Sequence, residues 1–508
     1  MNEPIALPVR GDILELEIES SGFEGTSIAR HHGIVVFVEG AVAGDRVKAR
    51  VWKTKKKHVE AKVIEVVSPS LQRTEPKCKH FGVCGGCKWQ HVKYASQLEF
   101  KRQHVIDALE RIGGFKDVRV LPTLASGEEY YYRNKLEFSF GTERWITHEE
   151  NHRLIEARIE AEKTAAAAAG AQDIDAENAA AADTRVTTKT DDFVVGFHAP
   201  QRYDKIIDID ECHLQSPLSV EILRAVKEFA LARSIPAYSS ETQTGYFRNL
   251  VIREGKRTGD VMVNVVTYED DPVVMRELTQ TLATRFPTIT TVVNNVTSRK
   301  SQVAVGETEQ VYLGDGKIRE LLGTHRFEIS ANSFFQTNSL QAARLYEVAK
   351  EYGELKPTDL VYDLYCGAGS ISLFIADAVR QVVGIELVET SITNARMNAE
   401  ANGITNCEFI AGDLKDLLTK DVAWRARFAN PDVLIIDPPR SGMHPKAVAE
   451  LGAMKIERIV YVSCNPATLA RDLQMFAPFG YVIEQVQPVD MFPHTYHIEC
   501  VAKLRRVV

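Results

Sequence analysis

The sequence of 508 residues has no apolar run approaching the roughly 18 residues that a membrane-spanning helix needs. Its longer runs, such as Ile34 to Val38, are strand-sized. The opening residues, Met1-Asn2-Glu3-Pro4, show no basic segment followed by an apolar one, so no secretory signal is expected. Eight cysteines are too few for a disulfide scaffold in a chain of this length. A cytoplasmic location is therefore expected, where clustered cysteines point to metal binding or catalysis. Hydrophobic residues at 44% and charged residues at 26% exclude fibrous and wholly disordered chains. At roughly 150 residues per domain, about three domains are expected.

A net charge of −8 is unpromising for a nucleic-acid partner until its location is considered. Glu149 to Asp192 holds eleven acidic and five basic residues, or −6, which leaves −2 for the rest of the chain. Asp45 to Lys62 holds eight basic and two acidic residues, a local +6. A basic patch of this kind, rather than the overall balance, is what an RNA would meet.

Residues 10–67 read as all-β, with strands at Ile13–Ile18, Ile34–Val38, Val47–Trp52 and Val59–Val67 and glycines at the turns. Several short strands in so small a span predict an OB-like barrel. Lys53, Lys55, Lys56 and Lys57 fall at a strand end, where such a barrel presents an RNA-binding surface. Tyr94 to Ile112 reads as an amphipathic helix with Leu98, Val105, Ile106 and Leu109 on one side, and Gly113-Gly114 stops it. Residues 148–192 are Ala-rich and acidic and lack aromatics, so they are expected to be a disordered or partly helical insertion without a catalytic role. From Arg326 onward, short apolar strands at 360–364, 381–385, 407–410, 433–436 and 458–462 alternate with helical stretches. That series predicts a doubly wound parallel sheet. The expected architecture is a multidomain α/β protein, with a barrel over residues 1–67, a central α/β domain over 68–324 and a Rossmann-like domain over 325–508.

The first strand of the last domain runs into Asp363-Leu364-Tyr365-Cys366-Gly367-Ala368-Gly369-Ser370. Glycines at such a turn let a ligand approach the backbone, and an acidic residue ending the next strand can bind ribose hydroxyls. Glu386 fills that place. The third glycine of the dinucleotide fingerprint is missing, since position 372 is Ser, and the arrangement suits S-adenosylmethionine better. The fourth strand ends in Asp437-Pro438-Pro439-Arg440. Amino-group methyltransferases place an aromatic after a similar Pro-Pro, and Arg440 argues against that class. The fifth strand runs into Ser463-Cys464-Asn465-Pro466, which puts a thiol at the same pocket. Cys366, Cys407 and Cys500 read instead as small apolar residues. Cys78, Cys84 and Cys87 form a second cluster that needs a fourth ligand, and Cys212 is the candidate. Thiolates suit either zinc or an iron–sulfur centre.

These motifs resemble the RNA uracil-C5 (5-methyluridine) methyltransferase family. The likeness also rests on Gly22-Phe23-Glu24-Gly25 and Val36-Phe37-Val38-Glu39-Gly40, as in a TRAM domain. It includes Cys78-x5-Cys84-x2-Cys87 and Phe334-Phe335-Gln336-Thr337-Asn338, and it ends with Phe492-Pro493-His494-Thr495-x-His497-x-Glu499. It spans nearly the whole chain except the insertion. It implies Cys464 as the nucleophile and Glu499 as the proton-abstracting base. It implies cofactor contacts from Gln336, Tyr365, Glu386 and Asp437, with weaker matches at Asp413 and Ser370. It implies a [4Fe–4S] cluster on Cys78, Cys84, Cys87 and Cys212. A TRAM domain with a cysteine cluster points to the branch acting on 23S rRNA, with tRNA as the alternative and a monomer as the expected state. The competing class is an RNA-binding protein that retains the fold without the chemistry.

Overall fold

The computed structural model describes residues 7–147, 150–151, 153–157, 159–161, 193–202, 204–300, 304–419, 424 and 427–507. Most of the 148–192 stretch expected to be an insertion lies outside the described residues, and the part that is described is helical.

Five strands close a barrel: β1 (Ile13–Ser21), β2 (Ser27–His31), β3 (Ile34–Glu39), β4 (Arg46–Thr54) and β5 (His58–Ser68), in the order β1-β2-β3-β5-β4. Alternation explains the closure. Leu14, Leu16 and Ile18 of β1 point inward with Val36, Val38, Val47, Ala49, Val51, Val59 and Ala61, and their neighbours face solvent. The sequence pattern does not show β2, whose Ser-Ile-Ala-Arg-His offers little apolar alternation.

Helix α1 (Tyr94–Arg111) follows a cysteine-bearing loop. A central sheet then collects β6 (Lys135–Gly141), β7 (Val194–His198), β8 (Ile206–Asp208), β9 (Phe247–Glu254), β10 (Val261–Thr267), β11 (Thr291–Val296) and β12 (Thr308–Leu313), in the order β12-β11-β10-β9-β6-β7-β8. Only β10 and β11 run parallel within it. Helices α2 (Pro217–Ala232) and α3 (Pro272–Arg285) cover one face through Ile222, Val226, Phe229, Met275, Leu278 and Leu282. The other face contributes Met262 and Val293 to the core of the last domain.

A hairpin of β13 (Lys317–Leu322) and β14 (His325–Ser330) leads into α4 (Ser339–Tyr352). The boundary at 324/325 expected from the sequence cuts this hairpin, both strands of which bury residues in the core of the last domain. The final sheet holds β15 (Leu360–Leu364), β16 (Gln381–Glu386), β17 (Cys407–Ala411), β18 (Val433–Ile436), β19 (Arg458–Ser463), β20 (Tyr481–Val489) and β21 (Glu499–Arg506). Its order is β17-β16-β15-β18-β19-β21-β20. The first five strands are parallel, as the βα pattern predicts, and β21 enters antiparallel to both neighbours. Helices α5 (Ser370–Ile375), α6 (Glu389–Ala401), α7 (Leu414–Thr419), α8 (Pro445–Ala453) and α9 (Pro466–Phe476) connect them.

Helix α1 does not pack in the central domain to which its position in the chain assigns it. It lies on α9 and β20, and Val105, Ala108 and Leu109 join the core of the last domain. The segment after it runs parallel to β20, through bridges of Val120 to Val486 and Leu124 to Val489.

Candidate active site

The carboxyl ends of β15, β16, β18 and β19 open onto a cavity of about 960 Å³. Ligands of open α/β sheets bind at this end because the connections diverge there and leave a crevice. Gln336, Tyr365, Ser370, Glu386, Asp413 and Asp437 all line this cavity, and so do Cys464 and Glu499.

After β15 the chain turns sharply, with Tyr365 at φ 66°, Gly367 at φ 55° and Gly369 at φ 78°. A side chain at Gly369 would meet Ala395 and the ring of Phe409 at 3.1 Å, so that glycine lets the turn close on the sheet. The Gly367 amide donates to Glu386 Oε2 at 3.2 Å and the Val388 amide to Oε1 at 2.9 Å. Two backbone donors thus fix the Glu386 carboxylate, and each oxygen keeps a lone pair for a diol. Ser370 Oγ lies 2.9 Å from Tyr346 Oη. Asp413 is an exposed cap of α7, its Oδ1 accepting from the Lys415 amide at 2.8 Å. Asn134 at the start of β6 holds the Gln336 segment, donating from Nδ2 to Gln336 O at 2.8 Å and from its amide to Thr337 O at 2.7 Å.

The register of β19 and β21 brings Cys464 and Glu499 together. Ser463 pairs with Cys500, so one residue further along the antiparallel ladder Cys464 falls opposite Glu499. Their surroundings are poor in positive charge. Burial pushes the Cys464 thiol up to about 12, and the Glu499 and Asp437 carboxylates add to the shift. Burial also raises Glu499 well above the usual carboxylate range, with Asp437 adding to it, and holds Asp437 up at about 7. Arg440 is the cation that opposes the rise at both Cys464 and Glu499. Its Nη2 donates to His497 Nδ1 at 3.0 Å, and burial keeps His497 neutral by lowering it to about 4. Arg133 and Lys415 line the cavity too, but Arg440 is the cation that bears on Cys464 and Glu499, and a cationic ligand beside this thiol and the two buried carboxyl groups would complement them.

Cys366 and Cys500 are buried in apolar clusters, as expected of small apolar residues, and Cys407 is partly buried against one. Arg133, Tyr346 and His444 also line the cavity, and none of them stands in a motif that the sequence offers. Arg133 stands in Tyr131-Tyr132-Arg133-Asn134, which matches no motif with a mechanism. Thr337 lies inside Phe334-Phe335-Gln336-Thr337-Asn338, but the family resemblance implies a role only for its neighbour Gln336.

Gly86, Arg133 and Thr337 also line a second cavity of about 340 Å³, with Cys78, Cys84, Cys87 and Cys212 around it. Ties between distant segments bring the fourth cysteine in. The Lys79 amide donates to Glu211 Oε1 at 2.6 Å, and Lys79 Nζ and His80 Nε2 both meet Asp210. Burial raises all four thiols, Cys87 to about 12 and Cys212 to about 11, and neighbouring cysteines add to the rise at Cys78, Cys87 and Cys212. Among the described residues no group of three or more His, Cys, Asp or Glu stands at metal-holding separation. The fold gathers the four thiols in one cavity without setting them at coordination distance.

None of the four barrel lysines lines either cavity. Lys53, Lys55, Lys56 and Lys57 are exposed at the tip of the β4–β5 hairpin. Lys55 Nζ pairs with Glu60 at 2.7 Å, and Lys53 Nζ lies 5.4 Å from the Trp52 ring centre. Lys56 and Lys57 have no carboxylate partner among the described residues.

Comparison with known proteins agrees with this geometry. The family model described as tRNA (Uracil-5-)-methyltransferase matches residues 297–507, and the TRAM domain model matches residues 9–64. An uncharacterised RNA methyltransferase of Chlorobaculum tepidum is 42% identical over 500 residues, covering 98% of this chain and 97% of its own. The chain belongs to the RNA (uracil-5-)-methyltransferase family. Another family member, an uncharacterised RNA methyltransferase of Porphyromonas gingivalis, is 40% identical and covers 97% of this chain and 99% of its own. The crystal structure of the Pyrococcus abyssi tRNA (uracil-54, C5)-methyltransferase, in complex with S-adenosyl-L-homocysteine, superposes with a TM-score of 0.68 at 30% identity. It covers 97% of this chain and 100% of that one. As a family member this protein is an S-adenosylmethionine-dependent RNA methyltransferase with an N-terminal TRAM barrel. No helix among its described residues is long and apolar enough to cross a membrane.

Proposed function

We propose that the protein methylates carbon 5 of a specific uridine in RNA, with 23S rRNA as the substrate. The observation that carries the chemistry is the register that sets Cys464 opposite Glu499 in the cavity lined by Gln336, Tyr365, Glu386 and Asp437. Carbon 5 of uracil is too weak a nucleophile to be methylated unaided. Cys464 Sγ adds to carbon 6, and the displaced electron pair makes carbon 5 nucleophilic as an enolate. Once carbon 5 is methylated, Glu499 removes its proton. The electron pair of that C–H bond restores the C5–C6 double bond, the S–C6 bond breaks, and the thiolate leaves.

Glu386, oriented by two backbone amides, would hold the ribose hydroxyls of the cofactor. Gln336, Tyr365 and Asp437 would line its remainder, with Ser370 and Asp413 at the margin. When bound, S-adenosylmethionine supplies an electrophilic methyl group on a sulfonium cation. The acidic lining fits that charge, because a cation favours the ionised forms that burial opposes. A cation placed among Asp437, Glu499 and Cys464 also shifts Cys464 toward the thiolate that addition requires. The target base must leave its stack to reach Cys464. Phe334, 70% exposed at the cavity, offers a face on which it could stack.

The four thiols around the second cavity fit a [4Fe–4S] cluster by donor type and number, and their mutual repulsion as thiolates calls for a bound cation. When bound, the cluster would cross-link Cys212 to the 78–87 loop. Its role is structural or RNA-positioning, since methyl transfer moves no unpaired electron. The exposed Lys53, Lys55, Lys56 and Lys57 would contact RNA phosphates. The choice of 23S rRNA follows from the TRAM barrel together with the cysteine set. The similarity to the Pyrococcus abyssi enzyme supports tRNA as the second reading. A non-catalytic RNA-binding role is disfavoured because Cys464 and Glu499 share the cavity. Mapping 5-methyluridine in the rRNA and tRNA of a strain lacking the protein tests the proposal. Loss of 5-methyluridine from 23S rRNA is expected; loss confined to tRNA replaces the substrate, and no loss in either overturns the activity.

A further inference from the structure

The segment Asp490–Thr495 links β20 to the residues that carry His497 and Glu499. It has no regular structure, and His494 sits in the left-handed region at φ 65°. Such a loop holds its shape only if its backbone groups are captured elsewhere. Much of the capture comes from α1. Lys101 and Asp490 are both fully buried, with Nζ donating to Asp490 Oδ1 at 2.6 Å and to Phe492 O at 3.0 Å. Asp490 Oδ1 also accepts from the Phe492 amide at 3.0 Å. One helical turn earlier, buried Gln97 accepts from the His494 amide at 2.8 Å and donates from Nε2 to Trp89 O and Val92 O. Tyr132 Oη donates to Pro493 O, and Asn338 Nδ2 to Met491 O. The amides of Lys88 and Trp89, which follow Cys87 directly, both donate to His494 O. Phe492, Thr495, His497 and Glu499 line the cavity immediately beyond these anchors.

A buried ion pair contributes little to stability relative to well-packed apolar residues, and its attested value is in fixing one arrangement. We infer that Lys101 is a positioning residue for the catalytic loop. Through Asp490 and Phe492 O it sets where Glu499 and the wall formed by Phe492, Thr495 and His497 stand relative to Cys464. The same loop receives the segment that follows Cys87, so the cysteine region and α1 act on one target. This inference rests on the assignment of Cys464 and Glu499 above.

Three variants test it. Lys101→Met leaves Asp490 buried without its partner and should lower both thermal stability and turnover. The double variant Lys101→Met with Asp490→Asn removes the orphaned charge and keeps an acceptor for the Phe492 amide. It should regain stability while kcat stays roughly 10- to 100-fold low, the range a displacement of about 1 Å gives. Affinity for S-adenosylhomocysteine should stay at the wild-type value, because Gln336, Tyr365 and Glu386 sit on other elements. Gln97→Met, which introduces no buried charge, should lower kcat in the same way and serves if Lys101→Met does not fold. Recovery of kcat together with stability in the double variant, or a normal kcat in Gln97→Met, overturns the inference. RNA carrying 5-fluorouridine separates the two levels: if the wild type traps no adduct, the Cys464 assignment fails and not the positioning role alone.

Discussion

Two cavities share a wall of Gly86, Arg133 and Thr337, and half-buried thiols line both, yet the fold builds them differently. The larger lies at the ends of parallel strands, where Tyr365, Glu386, Asp437 and Cys464 each end or directly follow a strand and Glu499 begins β21. The smaller is assembled from a loop and a distant return of the chain, held by the contacts of Lys79 and His80 with Asp210 and Glu211. In both, burial makes a thiolate costly, and each cavity therefore fits a positive partner. On the proposed reading the larger takes that partner for a reaction and the smaller for cohesion, so removing thiols from each should have different consequences.

Removing the Cys464 thiol of the larger cavity has the largest expected effect. Cys464→Ala should lower methylation by roughly a thousandfold or more while leaving cofactor binding and thermal stability near wild type. Residual turnover close to wild type would show that the two cavities do not divide labour in this way. Glu499→Gln retains the shape without the proton acceptor and should slow turnover by roughly 10²–10⁴-fold. Because addition and methylation still proceed, an RNA–protein adduct should build up on gels with unmodified RNA.

In the smaller cavity the expected loss is of structure. Protein purified without oxygen should carry about four irons per chain if the centre is of the four-iron type. Cys84→Ser should bleach it and lower the thermal midpoint more than Cys464→Ala does. Stoichiometric zinc without iron would replace the cluster by another metal. A milder contrast comes from pH. With its thiol held up at about 12, Cys464 in the empty cavity should be alkylated slowly at neutral pH and faster as pH rises, since deprotonation supplies the nucleophile. Arg440 opposes that shift, so Arg440→Gln should slow alkylation further at any given pH. Rapid alkylation of the empty protein at pH 7 would contradict this account of the cavity.

The smallest effect is expected at the barrel. Replacing Lys55, Lys56 and Lys57 by Ala should weaken RNA binding and shallow its dependence on salt, by up to about 0.9 for each phosphate no longer neutralised. The rate at saturating RNA should hardly change, because lysines on phosphates position the substrate and do not react. An unchanged salt slope removes this hairpin from RNA binding.

Much of the larger cavity is legible in the sequence because its residues follow strands whose periodicity is local. Tyr365, Glu386, Asp437 and Cys464 each lie at a strand end that the βα pattern locates. The pairing of Cys464 with Glu499 is not derivable in that way, since it depends on β21 entering antiparallel beside β19, a long-range choice. The likeness to a family supplies Glu499 instead. Packing between domains is equally hidden. The apolar stripe of Leu98, Val105, Ile106 and Leu109 on α1 describes its buried side in part, but that side also carries Gln97, Lys101 and His104. A lysine three residues after Leu98 and four before Val105 is the available sign that this face meets a charged partner. Strand β2 escapes the sequence pattern for the opposite reason, since Ser27 to His31 shows so little apolar alternation that only its pairing with β1 and β3 makes it a strand.

The central claim is that Cys464 forms a bond to the target uracil. Its most direct test is to incubate the wild type with S-adenosylmethionine and RNA containing 5-fluorouridine, then to map the cross-linked peptide by mass spectrometry. Fluorine cannot leave as a proton, so Glu499 cannot complete the cycle and the adduct should persist. The account predicts a stoichiometric RNA adduct on Cys464 that carries the transferred methyl group and is absent in Cys464→Ala. An adduct on another residue, or methylated RNA released with no adduct at all, would contradict it.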